Sequence, residues 1–294
     1  MSFVADEIAS QPRCWSAAAE LARRPEVAAA LPEPGERVAV VGCGTSLYMA
    51  QACAALREAG GAGETDAFAA SEFPASRPYD RVIALTRSGT TTEVLRLLEQ
   101  WSGRSTVITT DHGHPVAAHA EATIALDFAD ERSVVQTRFA TTALALWRAH
   151  LGDDLAAAVA DAESAIANPL DPAWVRRTQF SYLGTGWTIG LANEAALKIR
   201  EAAQAWAESY PAMEFRHGPI SVISADSLVW FFGTPPPGLA EEVAPMGALI
   251  ETSIMDPMAH LVLAQRLAVA LAESRGLDPD APRNLTRSIV LSGS

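Results

Sequence analysis

The sequence predicts an α/β fold of two units, each a parallel sheet flanked by helices, with the second unit shortened. Short apolar runs alternate with helix-length segments through the first half, which is the pattern of a parallel sheet with crossover helices. A run of strand, glycine turn and helix occurs twice, around Gly42-Cys43-Gly44-Thr45-Ser46 and again around Gly184-Thr185-Gly186-Trp187. After Gly233 only about two dozen residues precede the next helical segment near Pro257, and Pro235-Pro236-Pro237-Gly238 uses some of them. A full αβ crossover hardly fits there, so the second unit is expected to be the smaller.

Residues 3–30 read as a helical arm, with Trp15, Leu21 and Val27 at apolar positions and Pro12 and Pro25 as interruptions. Strands follow at 37–41, 81–85, 105–109 and 122–126, with helices at 47–59, 93–101 and 137–150. An acidic, alanine-rich stretch at 153–167 leads to Asn168-Pro169-Leu170-Asp171-Pro172, the best boundary in the chain. It divides the chain into an arm (1–30), a first domain (31–170) and a second domain (171–294). The second domain opens with a strand at 180–183 and a helix at 189–208, adds a strand at 228–232, and ends in an extended tail at 278–294.

Of 294 residues, 49% are hydrophobic and 19% charged, an ordinary composition for a buried core. Apolar stretches are too short or too interrupted to cross a bilayer, and residues 1–10 carry acids where a signal peptide needs a basic start. A soluble cytoplasmic protein is expected. The net charge of −13 disfavours nucleic acid and anionic membranes as partners, so a bound phosphate must be held by local amides and hydroxyls. Cys14, Cys43 and Cys53 lack zinc-site or redox spacing and read as buried free thiols. Basic residues total 22, yet Lys198 is the only lysine.

Three groups of residues could carry chemistry. The turn at residues 42–46 and the run Thr86-Arg87-Ser88-Gly89-Thr90-Thr91-Thr92 both follow strands, at the carboxyl edge where parallel sheets bind ligands and helix amides favour anions. Ser/Thr-rich turns also serve simply as helix caps. Neither turn has a P-loop lysine or the complete dinucleotide glycine pattern, so ATP and NAD are unsupported and no cofactor is expected. Glu194, Lys198 and Glu201 stand at i, i+4 and i+7 on one helix face, opposite Ala192, Ala196, Ile199 and Ala203. They read either as a solvated ion-paired face or as a carboxylate–ammonium group that moves a proton beside a carbonyl. His217, in Glu214-Phe215-Arg216-His217-Gly218-Pro219, is a proton shuttle or a structural hydrogen-bonder. His112, His114 and His119 lie in an ordinary strand-to-helix loop, and no metal is expected there.

Together these segments resemble the sugar isomerase (SIS) family, specifically tandem-domain members related to the isomerase half of glucosamine-fructose-6-phosphate aminotransferase. The resemblance runs almost end to end, through Glu7-Ile8-Ala9-Ser10-Gln11-Pro12-Arg13, Gly42-Cys43-Gly44-Thr45-Ser46, Ala70-Ser71-Glu72-Phe73 and Arg87-Ser88-Gly89-Thr90-Thr91. It continues in Glu194-Ala195-Ala196-Leu197-Lys198-Ile199-Arg200-Glu201, Phe215-Arg216-His217-Gly218-Pro219 and Pro282-Arg283-Asn284-Leu285. It implies that Ser46, Thr86, Arg87, Ser88 and Thr91 hold a sugar's phosphate, Arg87 mainly through its backbone. Gly44, Thr45, Gln136 and Arg287 would line the sugar. Glu201 would move a proton between C1 and C2, with Lys198 and Glu194 in support and His217 opening the ring. A homodimer with shared active sites is also implied.

Several positions depart from the family pattern. No glutaminase domain and no Cys at position 2 are present, and Arg287 stands where the synthase has an imine-forming lysine, which disfavours glutamine-dependent synthesis. Trp206 replaces a histidine, and Gln136 and Arg138 replace a serine and a lysine near the sugar. The expected function is aldose–ketose isomerisation or deamination of an amino-sugar 6-phosphate, with deamination preferred. The alternative is a sensor that binds a sugar phosphate without turnover.

Overall fold

The structure, a computed structural model, describes residues 2–291; residue 1 and residues 292–294, the end of the segment read as an extended tail, lie outside the described residues. The chain opens with three helices, α1 (Phe3–Ala9), α2 (Gln11–Ala22) and α3 (Pro25–Ala30). Pro12 and Pro25 do not interrupt these helices. Each sits in a first turn, where the amide that proline lacks has no intrahelical partner to lose.

Five parallel strands follow, β1 (Val38–Gly42), β2 (Thr65–Ala69), β3 (Arg81–Leu85), β4 (Arg104–Thr109) and β5 (Ala122–Ala125), in the order β2-β1-β3-β4-β5. The helices α4 (Thr45–Ala59) and α5 (Thr92–Gln100) make crossovers, and α6 (Arg138–His150), α7 (Ala156–Ala167) and α8 (Pro172–Val175) come after the sheet. A second parallel sheet contains β6 (Gln179–Gly184), β7 (Ala207–Pro211), β8 (Ser227–Phe232) and β9 (Leu249–Glu251), in the order β7-β6-β8-β9. Its helices are α9 (Thr188–Ala203), α10 (Leu239–Val243) and α11 (Pro257–Ser274). The second sheet repeats the order of the first with one strand fewer, so the second unit is indeed the smaller.

These elements form two compact units that interleave in sequence instead of following a contiguous division at residues 30 and 170. The first-sheet unit takes residues 13–132, 136–155 and 286–291; the second-sheet unit takes 2–12, 133–135 and 156–285.

Central strands β1, β3 and β8 are buried at every position, as expected where helices cover both faces of a parallel sheet. The first sheet packs Val41, Val82, Ala84 and Val107 against Val94 and Leu98 of α5. Strands β2, β7 and β9, which sequence patterning does not reveal, are all edge strands, half exposed and mixed in polarity. Their place is set by ladder hydrogen bonds more than by an apolar pattern. Two further expectations are corrected. The helix expected to reach residue 208 stops at Ala203, because Gln204 takes a left-handed conformation (φ 50°) and turns the chain into β7. The segment after Gly233 does hold a crossover, compressed into the five residues of α10 and the three of β9.

In the second-sheet unit Tyr182, Trp230 and Glu251 are in register on neighbouring strands and so share one face. Trp230 stacks on the imidazole of His260 at 4.6 Å, Trp174 meets it edge-on at 4.9 Å, and Phe232 meets His260 at 5.4 Å. His260 is buried; that burial, only partly offset by Glu251 at 3.3 Å, pushes its pKa below the ordinary histidine value. The unfolded chain therefore binds the proton first as pH falls. The stability this neutral imidazole contributes is complete above the unfolded pKa of about 6.5 and declines below it, by at most about 1.4 kcal/mol per pH unit. Urea midpoints measured from about pH 7.5 down to about pH 5 are expected to fall more steeply for the wild type than for His260→Phe, and parallel curves would remove His260 as the cause.

Candidate functional site

In the first-sheet unit the strand order reverses between β1 and β3, and crevices at such a switch point receive ligands. Both candidate turns leave the sheet there. Gly42 ends β1 under the first turn of α4, and a Cβ on it would lie 2.6 Å from the carbonyl carbon and 2.7 Å from the Cβ of Ser46. Glycine thus lets the helix start close onto the strand end, which brings Thr45 and Ser46, both nearly buried, to the sheet edge beside Gly44 (φ 56°). Gly184 meets the backbone of Thr188 in the same i, i+4 relation in the second sheet.

The run at residues 86–92 is fixed largely by its own hydroxyls. Thr86 Oγ1 accepts from the Gly89 amide at 3.3 Å, and Ser88 Oγ accepts from the Thr90 amide at 3.3 Å. Thr109 and Thr110 donate to the Arg87 carbonyl at 3.3 and 2.9 Å. Thr91 is the N-cap residue of α5. His114 packs over Gly89 so closely that a side chain there would collide with it, and its Nδ1 lies 2.9 Å from Thr109 Oγ1. His119 pairs with Glu99 at 3.7 Å, and no group of three metal-ligating residues occurs among the described residues.

The Arg87 side chain turns inward to Glu131, whose carboxylate is 3.4 Å away and fully buried. Glu131 also accepts from the amides of Thr137 and Arg138 at 2.6 and 2.7 Å and from Thr137 Oγ1 at 3.1 Å. It therefore serves the orphan amides at the start of α6 and anchors the arginine of the loop after β3 at once. Gln136, one residue before this cap, has a buried Nε2 with no partner among the described residues. Arg138 donates to the carbonyl of Asp130.

The C-terminal segment joins the same unit. Arg287 donates to the carbonyl of Glu131 and pairs with Asp130 at 2.5 Å, while its own carbonyl accepts from Arg87 at 3.1 Å. Ser288 Oγ lies 3.1 Å from Ser88 Oγ and 2.9 Å from Thr90 Oγ1. The Thr92 amide donates to the Ile289 carbonyl at 3.2 Å, and the Leu291 amide to Thr92 Oγ1 at 2.9 Å.

In the second-sheet unit α9 carries the ionised group. Lys198 Nζ lies 2.5 Å from Glu201 and 3.3 Å from Glu194; Glu194 and Lys198 are 0% and 1% exposed and Glu201 is 19% exposed. This is not a solvated face. Burial opposes the Lys198 ammonium, but the two carboxylates outweigh it and hold its pKa above the ordinary lysine value. Glu201 is thus the one member of the group with partial access to a ligand. His217 ends a short 3-10 turn (Glu214–His217) fixed by buried Phe215 and by Arg216, which grips Glu242 with two bonds of 2.9 Å; the imidazole itself is exposed. Trp206, just past α9, is 79% exposed.

No family model matches the sequence. The glutamine–fructose-6-phosphate aminotransferase [isomerizing] of Pyrobaculum aerophilum is 32% identical over 166 residues, 47% of this chain and 28% of that protein. The corresponding protein of Sulfurisphaera tokodaii is 26% identical over 297 residues, 87% of this chain and 50% of that protein. The crystal structure of glucosamine-6-phosphate deaminase from Thermotoga maritima superposes with a TM-score of 0.80 at 23% identity, over 99% of this chain and 100% of that one. The chain resembles these proteins of the sugar isomerase family in sequence and shares their fold. It spans half or less of the length of these two aminotransferases.

In this chain the structure gathers Thr86, Arg87, Ser88 and Thr91 with Gln136 and Arg287 in one unit and Glu194, Lys198 and Glu201 on one helix of the other. Sequence reading did not single out Glu131, Thr90 or Ser288. Glu131 sits in the charged run Asp130-Glu131-Arg132, where nothing local distinguishes a buried carboxylate from a solvated one. Thr90 meets the tail, as its neighbours Ser88 and Thr92 do, and nothing in its local sequence marks that contact. No helix among the described residues is long and apolar enough to cross a membrane. Cys14 and Cys53 are buried thiols as expected, whereas Cys43 is only partly buried.

Lys198→Met strands the Glu194 carboxylate in the interior without its ammonium and is expected to destabilise the protein by about 3–5 kcal/mol. Adding Glu194→Gln is expected to restore most of that loss. Urea denaturation of the two variants checks the pairing, and equal stability of single and double variants would disprove it.

Proposed function

We propose that the chain processes a sugar 6-phosphate by proton transfer between C1 and C2. The observation that carries this reading is the buried Lys198, held between Glu194 and a partly accessible Glu201. A carboxylate whose neighbouring ammonium is fixed can take the C2 proton of an open-chain aldose and return it to C1, while the ammonium balances the charge that develops on oxygen. The product is the ketose. When C2 carries an amino group, the same transfer gives an imine that water cleaves to ketose and ammonia. The hydroxyls of Ser46, Thr86, Ser88 and Thr91, with backbone amides of residues 86–92, bind the phosphate without any net positive side chain, as an overall charge of −13 requires. The family resemblance and the names of the relatives support this class of substrate.

The roles separate under mutation. Glu201→Gln is expected to lower turnover roughly 10²- to 10⁴-fold and leave the Kd for the sugar phosphate nearly unchanged, whereas Ser88→Ala with Thr91→Ala is expected to weaken binding first, roughly 10- to 100-fold. Glucosamine 6-phosphate and fructose 6-phosphate in deuterated water, followed by NMR for exchange at C1 and C2 and by ammonia release, provide the assay. A ligand that raises the melting temperature with no exchange would replace the enzyme reading with a binding sensor.

The active unit in this reading is a homodimer in which His217 of one copy opens the ring for Glu201 of the other. Mixing inactive Glu201→Gln and His217→Asn chains is expected to restore about a quarter of wild-type activity, since about half of the dimers are mixed and each has one intact site. No recovery on mixing would show that each chain uses its own pair.

A further inference from the structure

The loop assigned to phosphate is already engaged by the chain's own C-terminal segment, at Ser88 and at its neighbours Thr90 and Thr92. Ser288 Oγ lies within hydrogen-bonding distance of both Ser88 Oγ (3.1 Å) and Thr90 Oγ1 (2.9 Å). On either side the contact is continued by main chain, with Thr92 N–H on the Ile289 carbonyl and Leu291 N–H on Thr92 Oγ1. The Thr92 amide opens α5, so the segment supplies a carbonyl at the helix end where an anion's oxygen would accept the same proton. Side-chain hydroxyl and backbone carbonyl together reproduce the oxygens that a phosphate monoester presents to such a loop.

We propose that residues 286–291 act as an internal competitor for the phosphate loop, with Ser288 as the residue that occupies it. This rests on the reading of residues 86–92 as the phosphate site. Competition follows from the geometry, because a donor amide or hydroxyl that serves Ser288 or Ile289 cannot at the same moment serve a ligand oxygen in the same place. The apparent affinity is then the intrinsic affinity scaled by the fraction of molecules whose segment is released.

The segment is held at a second point, by Arg287 on Asp130 and on the Glu131 carbonyl. Its contacts with the loop are hydrogen bonds to hydroxyls and single main-chain pairs, each of modest net strength in water. Exposed Ile289, Val290 and Leu291 add little apolar burial. Release is therefore within reach of a ligand that brings charged oxygens, which hydrogen-bond more strongly than a neutral serine. A neutral sugar offers no such gain, so the segment favours phosphorylated ligands over their unphosphorylated forms.

The test is calorimetric titration of the full chain, of Ser288→Ala and of the chain ended after Arg287 with fructose 6-phosphate, glucosamine 6-phosphate and inorganic phosphate. Ser288→Ala is expected to tighten binding about three- to tenfold, and truncation by more. In the wild-type chain, hydrogen exchange at residues 286–291 is expected to speed up on addition of the ligand that binds best. Unchanged or weaker binding in both variants, or slower exchange of the segment with ligand, overturns the competition and makes the segment a lid. Should the wild type bind these ligands and Ser88→Ala with Thr91→Ala bind them equally well, the phosphate-loop reading itself fails and the competition fails with it.

Discussion

The carboxylate of Glu131 has no contact with solvent, and it must therefore be satisfied from within. The residue as a whole draws three separate parts of the first-sheet unit to one point, two through its carboxylate and one through its carbonyl. The start of α6 supplies two amides and a hydroxyl, the loop after β3 supplies Arg87, and through the Glu131 carbonyl the C-terminal segment supplies Arg287. Arg87 thereby spends its charge inside the protein. What the loop offers outward is hydroxyl and amide, a surface that suits an anion without attracting every anion nearby. Loss of this carboxylate would release Arg87 of the loop and the first amides of α6 from a shared acceptor.

A second buried charge cluster governs the other unit. Glu194 and Lys198 gain little stability from being ionised in the interior, where desolvation offsets much of their attraction. Their value lies in position: a fixed ammonium next to a carboxylate that keeps some exposure. The two sheets also share a device, a glycine at a strand end that admits the following helix closely, Gly42 against Ser46 and Gly184 against Thr188.

Much of this was legible from the sequence because both glycine turns follow apolar runs and precede helical ones, so the sheet edge and its loops follow from local pattern. The lone lysine pointed to α9 through composition, although periodicity could not tell a buried ion group from a solvated face. Other features depend on contacts far apart in the chain. The edge strands β2, β7 and β9 are defined by the ladder they join, and Gln204 ends α9 through a left-handed backbone that glutamine seldom adopts. Glu131, Ser288 and the interleaving of the two units arise from pairings across as many as 200 positions, which no window of sequence contains.

The burial of Lys198 also has a practical side. Its side chain is 1% exposed and the sequence has no other lysine, so apart from the chain's α-amine the folded surface offers no primary amine. Reagents that label or cross-link through amines would leave the native fold almost untouched and would reach Lys198 only when α9 opens. The rate of acylation at that single side chain is thus a built-in clock for local opening of the ionised helix, readable by mass without any engineered probe.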